Sequence, residues 1–165
     1  MDASRFIRSS EGAFVFAVRS ATQALLTEIL SPTVPFVWLI NYMPNARMEW
    51  WTMPIVLRRN GIIYEAKVRG ACFDLLVETG DFLKMLPEIS DSSFTLMQMH
   101  KPVPNTFPLN RLSNANRAAT LKKNGWHLSC HSPHGGEVSI VTAPRREILE
   151  QLLLGVEVRK EVLEA

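Results

Sequence analysis

Residues 50–69 read WWTMPIVLRRNGIIYEAKVR, and how this stretch folds decides the architecture. Asn60-Gly61 separates two extended runs, 50–59 and 62–69, and both turn residues tolerate the positive φ of a two-residue hairpin loop. Such a loop sets Arg59 opposite Ile62. The same register places Leu57 against Tyr64, Ile55 against Ala66 and Met53 against Val68, which makes one continuous apolar face. The other face pairs Arg58 with Ile63, Val56 with Glu65, Pro54 with Lys67 and Thr52 with Arg69, so Arg58, Lys67 and Arg69 share a partly basic surface. Pro54 has no N–H for a ladder and puts its strand at an edge or a bulge. Trp50 and Trp51 are adjacent, and in a strand one of them must face away from the core, where it is a candidate contact for a second copy of the chain.

Upstream of the hairpin, Ser9, Ser10, Glu11 and Gly12 offer a helix start. Val15, Val18, Thr22, Leu25, Leu26 and Ile29 recur at helical spacing, so a helix is expected over 11–30, ended by Ser31-Pro32. Pro35 opens a strand that runs to Asn41, apolar on both faces and hence central in a sheet.

Downstream, Cys72 to Val77 reads equally as strand or helix start, and 81–86 as a short helix stopped by Pro87. Residues 93–100 alternate as a strand buried on both sides. A proline-rich connector over 101–108 precedes a helix over 109–123, which Asn124-Gly125 closes with a left-handed cap. A second hairpin, 126–132 with 137–141, turns at Pro133-His134-Gly135-Gly136. From Pro144 a last helix is expected, with Ile148, Leu149, Leu152, Val156 and Leu163 as its apolar stripe. The expected fold is therefore α+β: an antiparallel sheet of five to six strands with the N- and C-terminal helices packed on it. The chain reads as a single domain over 1–165, with 1–10 flexible.

The chain has 165 residues, 47% of them apolar and 21% charged, which suits one folded core and excludes a disordered low-complexity protein. No apolar run approaches the length that spans a bilayer, and Arg19 follows the first one too closely for a secretory signal. Two cysteines, Cys72 and Cys130, without CxxC spacing point to a reducing, cytoplasmic setting.

His127, Cys130, His131 and His134 cluster enough to suggest zinc. In a strand, however, His127 and His131 sit about 13 Å apart along one face and Cys130 points to the other, which does not make a tetrahedral site. No nucleophile elbow, HExxH, Walker loop or GxGxxG appears, so neither an enzyme nor a cofactor is expected. The basic residues are more informative. Arg145 and Arg146 stand in the first turn of the last helix, where the macrodipole disfavours cations by about 0.3–1 kcal/mol each, and an anionic partner would offset that cost. Lys122 and Lys123 close the preceding helix. The order helix, hairpin, helix after residue 109 also fits a winged-helix-like unit, with the second hairpin as wing.

Taken together, the sequence leads to a non-catalytic binding or scaffold protein. It is expected to self-associate and to present Arg58, Lys67, Arg69, Lys122, Lys123, Arg145 and Arg146 to RNA, a nucleoprotein or an acidic membrane surface. Small viral or phage accessory and matrix-type proteins combine these features. The alternatives are a chaperone or inhibitor of another protein, and a Cys/His hydrolase or zinc-binding protein built on Cys130.

Overall fold

The computed structural model describes residues 2–19, 22–42, 65–69, 72–88, 94–101, 122–123, 125–132, 138–155 and 161–164. The chain is α+β and dominated by one antiparallel sheet. Its strands are β1 (Arg8–Ser10), β2 (Ala13–Val18), β3 (Phe36–Tyr42), β4 (Glu65–Arg69), β5 (Cys72–Glu78), β6 (Phe94–Met99), β7 (Trp126–Ser132), β8 (Ser139–Ala143) and β9 (Val162–Leu163). They lie side by side in the order β1-β2-β8-β7-β6-β3-β5-β4, with β9 also on β2. Among the described residues three α-helices, α1 (Thr22–Ile29), α2 (Thr79–Met85) and α3 (Arg146–Leu153), join them. The nine strands among the described residues exceed the expected five to six because β1, β2 and β9, near both chain ends, join the sheet.

The N-terminal reading needs correction. Residues 11–30 are not one helix: Glu11 and Gly12, with φ of 48° and 80°, form the loop of a tight hairpin that pairs Ser10 with Ala13 and Arg8 with Val15. Positive φ at both loop residues matches the twist of the flanking strands, and glycine takes the second position without steric cost. Phe14-Val15-Phe16-Ala17-Val18 then runs as a strand, as aromatic and β-branched residues favour. The described helix, α1, spans Thr22–Ile29. The 3.6-residue spacing across 15–29 came from joining a strand buried on both sides to a short helix.

The C-terminal reading needs the same kind of correction. α3 stops at Leu153, where the N–H groups of Leu154 and Gly155 bond back to Gln151 and Leu152. Leu163 is not part of its stripe: it lies in β9, opposite Ala17. Pro144 precedes the N-cap, Arg145, rather than opening the helix. Arg5 pairs with Glu164, which ties the two chain ends together.

The central strand is as expected. β3 lies between β6 and β5, with Val37 and Leu39 in the main core and Trp38 buried on the opposite face. The segment 72–77 is strand, and it doubles back on β4 with Arg69 opposite Cys72. The 50–59 strand, the Asn60-Gly61 turn and the connector lie outside the described residues. The second hairpin, β7 with β8, is not a wing: β6 and β2 flank it, so it forms the sheet interior.

The main core covers one face of the sheet. Phe16, Leu39, Leu96, Leu128 and Val141 from the strands meet Leu25, Leu26 and Ile29 of α1, Phe82 of α2, and Leu149 and Leu153 of α3. Truncating any of these leucines to alanine costs about 2–5 kcal/mol. Trp38, Met97 and Met99 form a second cluster on the other face, with Phe36, Leu76 and Trp126 packed against it. One buried polar side chain organises the end of the sheet. The Gln98 amide accepts from the Ser31 N–H at 3.1 Å and donates to the carbonyls of Ser31 and Val34, which fastens the α1–β3 loop across β6.

Candidate anion-binding site

The strand order brings the ends of three neighbouring strands together. β6 ends in Met99 and continues to His100 and Lys101, β7 starts at Trp126 after Lys122 and Lys123, and β8 runs out through Pro144 to Arg145. The ladder between β6 and β7 continues past the strand end, with the His100 N–H bonded to the Gly125 carbonyl at 2.9 Å. Gly125 in turn donates its N–H to the Lys122 carbonyl at 3.3 Å. Its φ of +73° is the left-handed cap expected at Asn124-Gly125.

Register places a bulge here. Gln98 pairs with Leu128 but Met99 pairs with Trp126, so β7 has one residue more than β6 and His127 is the extra one. The bulge turns His127 against His100, with ring centroids 5.4 Å apart and planes at 82°. Burial, then the His100 ring and the Arg145 guanidinium, hold the half-buried His127 below the usual imidazole pKa. Arg145 thus acts electrostatically on the same spot.

His100, Lys101, Lys122, Lys123 and Arg145 are exposed, and the four cations form no ion pair with a described residue. Carboxylates stand to either side: Glu11 in the β1–β2 turn, Glu147 in the first turn of α3, and Glu78 at the end of β5. The N-cap Arg145 makes no side-chain capping bond, and its carbonyl accepts from the Ile148 N–H at 3.3 Å.

The seven basic residues marked by the sequence do not act as one set. Lys122 and Lys123 precede β7 and Arg145 follows β8, and the two strands are neighbours. Arg146 is engaged by Glu150 at 2.8 Å, an i,i+4 pair on α3, and is no longer a free cation. Lys67 and Arg69 lie on β4 opposite Asp74 and Cys72, three strands from β6 and so about 14 Å away across the sheet. Arg58, Trp50 and Trp51 lie outside the described residues. Sequence reading missed His100 and Lys101, whose only signal was position beside strand ends that had yet to be paired, and marked His127 only for its clustering with Cys130, His131 and His134. A hollow of about 400 Å³ elsewhere, bounded by Asp2, Glu150 and Gln151, carries the wrong charge for an anion.

Cys130 has no part in such a site. It is fully buried in the main core, and desolvation pushes its thiol up to about 12 despite the opposing influence of the nearby Ser139 hydroxyl. That contact is too poorly formed to count as a hydrogen bond, since Ser139 Oγ has no partner. His131 is exposed, with Nδ1 bonded to Thr95 Oγ1 at 2.9 Å. Alternation along β7 puts Cys130 and His131 on opposite faces, so neither a thiolate–imidazole pair nor a shared metal is assembled from them. Trp126 packs against the second apolar cluster. No helix among the described residues is long and apolar enough to cross a membrane. No protein family matches the sequence, and no curated protein or solved structure matches the chain.

Proposed function

We propose that the protein is a non-catalytic binding protein whose basic sheet end, Lys101, Lys122, Lys123 and Arg145 beside His100 and His127, engages the phosphate backbone of RNA. What supports this is the topology: the segments that carry Lys101, Lys122, Lys123 and Arg145 adjoin the neighbouring ends of β6, β7 and β8, and these cations form no ion pair with a described residue. Positioned lysine and arginine side chains gain affinity for a polyanion by releasing its condensed counter-ions.

RNA is favoured over an acidic membrane because, among the described residues, the exposed large apolar side chains lie elsewhere. Leu154 is at the far end of α3, and Ile140 is five residues from Arg145 along β8. A membrane surface would therefore gain charge attraction without apolar insertion. Self-association belongs to the same reading: Ile140, 36% exposed, shares a row of the sheet with Ala17 and Leu163, an apolar strip suited to a second copy. The test is fluorescence anisotropy of a labelled single-stranded RNA of about 12 nucleotides across a salt series. Binding that weakens steeply with salt is expected, and no binding at about 50 mM salt refutes the reading.

A further inference from the structure

We propose that the imidazoles of His100 and His127 form a phosphate subsite within this basic end, and that they take up protons from solvent as an RNA phosphodiester binds beside Arg145. The inference rests on the RNA-binding reading and deepens it, because it assigns a role to two residues that the pattern of lysines and arginines does not mark.

Three features of the backbone converge on the pair. His127 is the bulged residue of β7, and bulges re-aim a side chain out of regular alternation. Gly125, opposite His100, has no Cβ, and one placed there would stand 3.0 Å from the Cβ of His100. Only glycine combines that approach with a φ of +73°. The outcome is an edge-to-face pair of rings whose centroids are 5.4 Å apart.

In the free protein His127 is poorly disposed to carry charge. Two imidazolium rings at that separation repel each other, Arg145 adds to the repulsion, and the half-buried His127 is already depressed by all three influences. Lys101 follows His100 directly, and Lys122 and Lys123 stand at the same end through the Gly125 bond. The acids nearest in the topology, Glu11, Glu78 and Glu147, lie to the sides, and His131 is occupied with Thr95. A phosphodiester reverses the balance. Its oxygens accept N–H bonds only from protonated or correctly tautomeric rings, and its charge offsets the repulsion among His100, His127 and Arg145. Binding therefore draws protons onto the rings, and falling pH in turn tightens binding, by up to about tenfold per pH unit for each proton taken up. Histidine is the side chain whose ordinary charge change falls in this window, while the phosphodiester keeps its charge throughout.

The experiment is anisotropy with the same labelled RNA and the full chain at constant ionic strength, at about pH 7.5 and about pH 5.5. Wild type is expected to bind about tenfold or more tightly at the lower pH. A His100→Asn/His127→Asn variant binds more weakly and loses the rise with falling pH, while His131→Asn keeps the rise. NMR titration of the His127 ring in wild type, which needs no variant to fold, is expected to show its pKa moving up when RNA is added. Equal affinity at both pH values, an unchanged rise in the double variant, or a His127 pKa that RNA does not move overturns the inference alone, provided that Arg145→Ala still weakens binding. Absence of RNA binding at both pH values overturns the surface reading with it. Binding to vesicles of phosphatidylserine but not to RNA overturns both in favour of a membrane.

Discussion

Replacing Lys122, Lys123 and Arg145 together with alanine removes three exposed cations and no described ion pair, so the fold is expected to survive. If each contacts one phosphate of a single strand, the slope of log K against log salt becomes shallower by about 0.7 for each, or about 2.1 in all. Referred to 1 M salt, that is about 100-fold in affinity at about 0.1 M. Between about 50 and 200 mM the wild type should lose about 20-fold more than the variant. The assay is anisotropy of the labelled RNA at five or so salt concentrations, with Arg146→Ala as control. Because Arg146 is held by Glu150, its removal should change the slope far less. A triple variant with the wild-type slope, or a control with the larger effect, would refute the reasoning.

Gln98→Leu leaves the Ser31 N–H and carbonyl without the buried amide that satisfies them, while Val34 keeps the Thr79 hydroxyl as a donor. Two orphaned groups should cost about 2–4 kcal/mol in urea unfolding, and a loss below about 1 kcal/mol would contradict this account of the loop. Iodoacetamide at about pH 8 should leave Cys130 unmodified in the native protein and alkylate it in denaturant, as peptide mass mapping would show; native labelling would contradict its burial and raised pKa. His127 binds protons less readily in the folded chain than in the unfolded one, where the ordinary value is 6.5. Without RNA, its contribution to stability is therefore present above that value and lost as pH falls through it, so thermal melts should drop from about pH 7 to about pH 5 and flatten in His127→Gln.

The middle of the sheet was legible because its signals were local. Phe36 to Asn41 is apolar at every position but the last, which only a strand buried on both faces tolerates, and Leu128 to His131 alternates between apolar and polar residues. The ends were less legible. Glu11-Gly12 carries the same kind of turn chemistry as Asn60-Gly61, but the apolar residues beyond it happen to repeat at helical spacing, so period and turn disagreed and period was followed. Leu163 was assigned to a helix stripe because nothing local to it reveals that Ala17 is its partner. The site shared that difficulty. Lys122, Lys123 and Arg145 could be named from charge and helix position, but their convergence depends on β6, β7 and β8 being neighbours. The role of His127 depends on a one-residue mismatch between two strands that lie 27 residues apart in the chain, between Met99 and Trp126. Arg146 was legible as a cation but not as a partner of Glu150, although the i,i+4 spacing could have shown it.

The most direct test of the RNA-binding end is residue-resolved. In an amide NMR spectrum of the isotopically labelled protein titrated with the single-stranded RNA, the account predicts shifts concentrated at residues 100–101, 122–127 and 145–147, on the ends of β6, β7 and β8. Shifts centred on β4 or on the α3 hollow, with those amides unmoved, would contradict it.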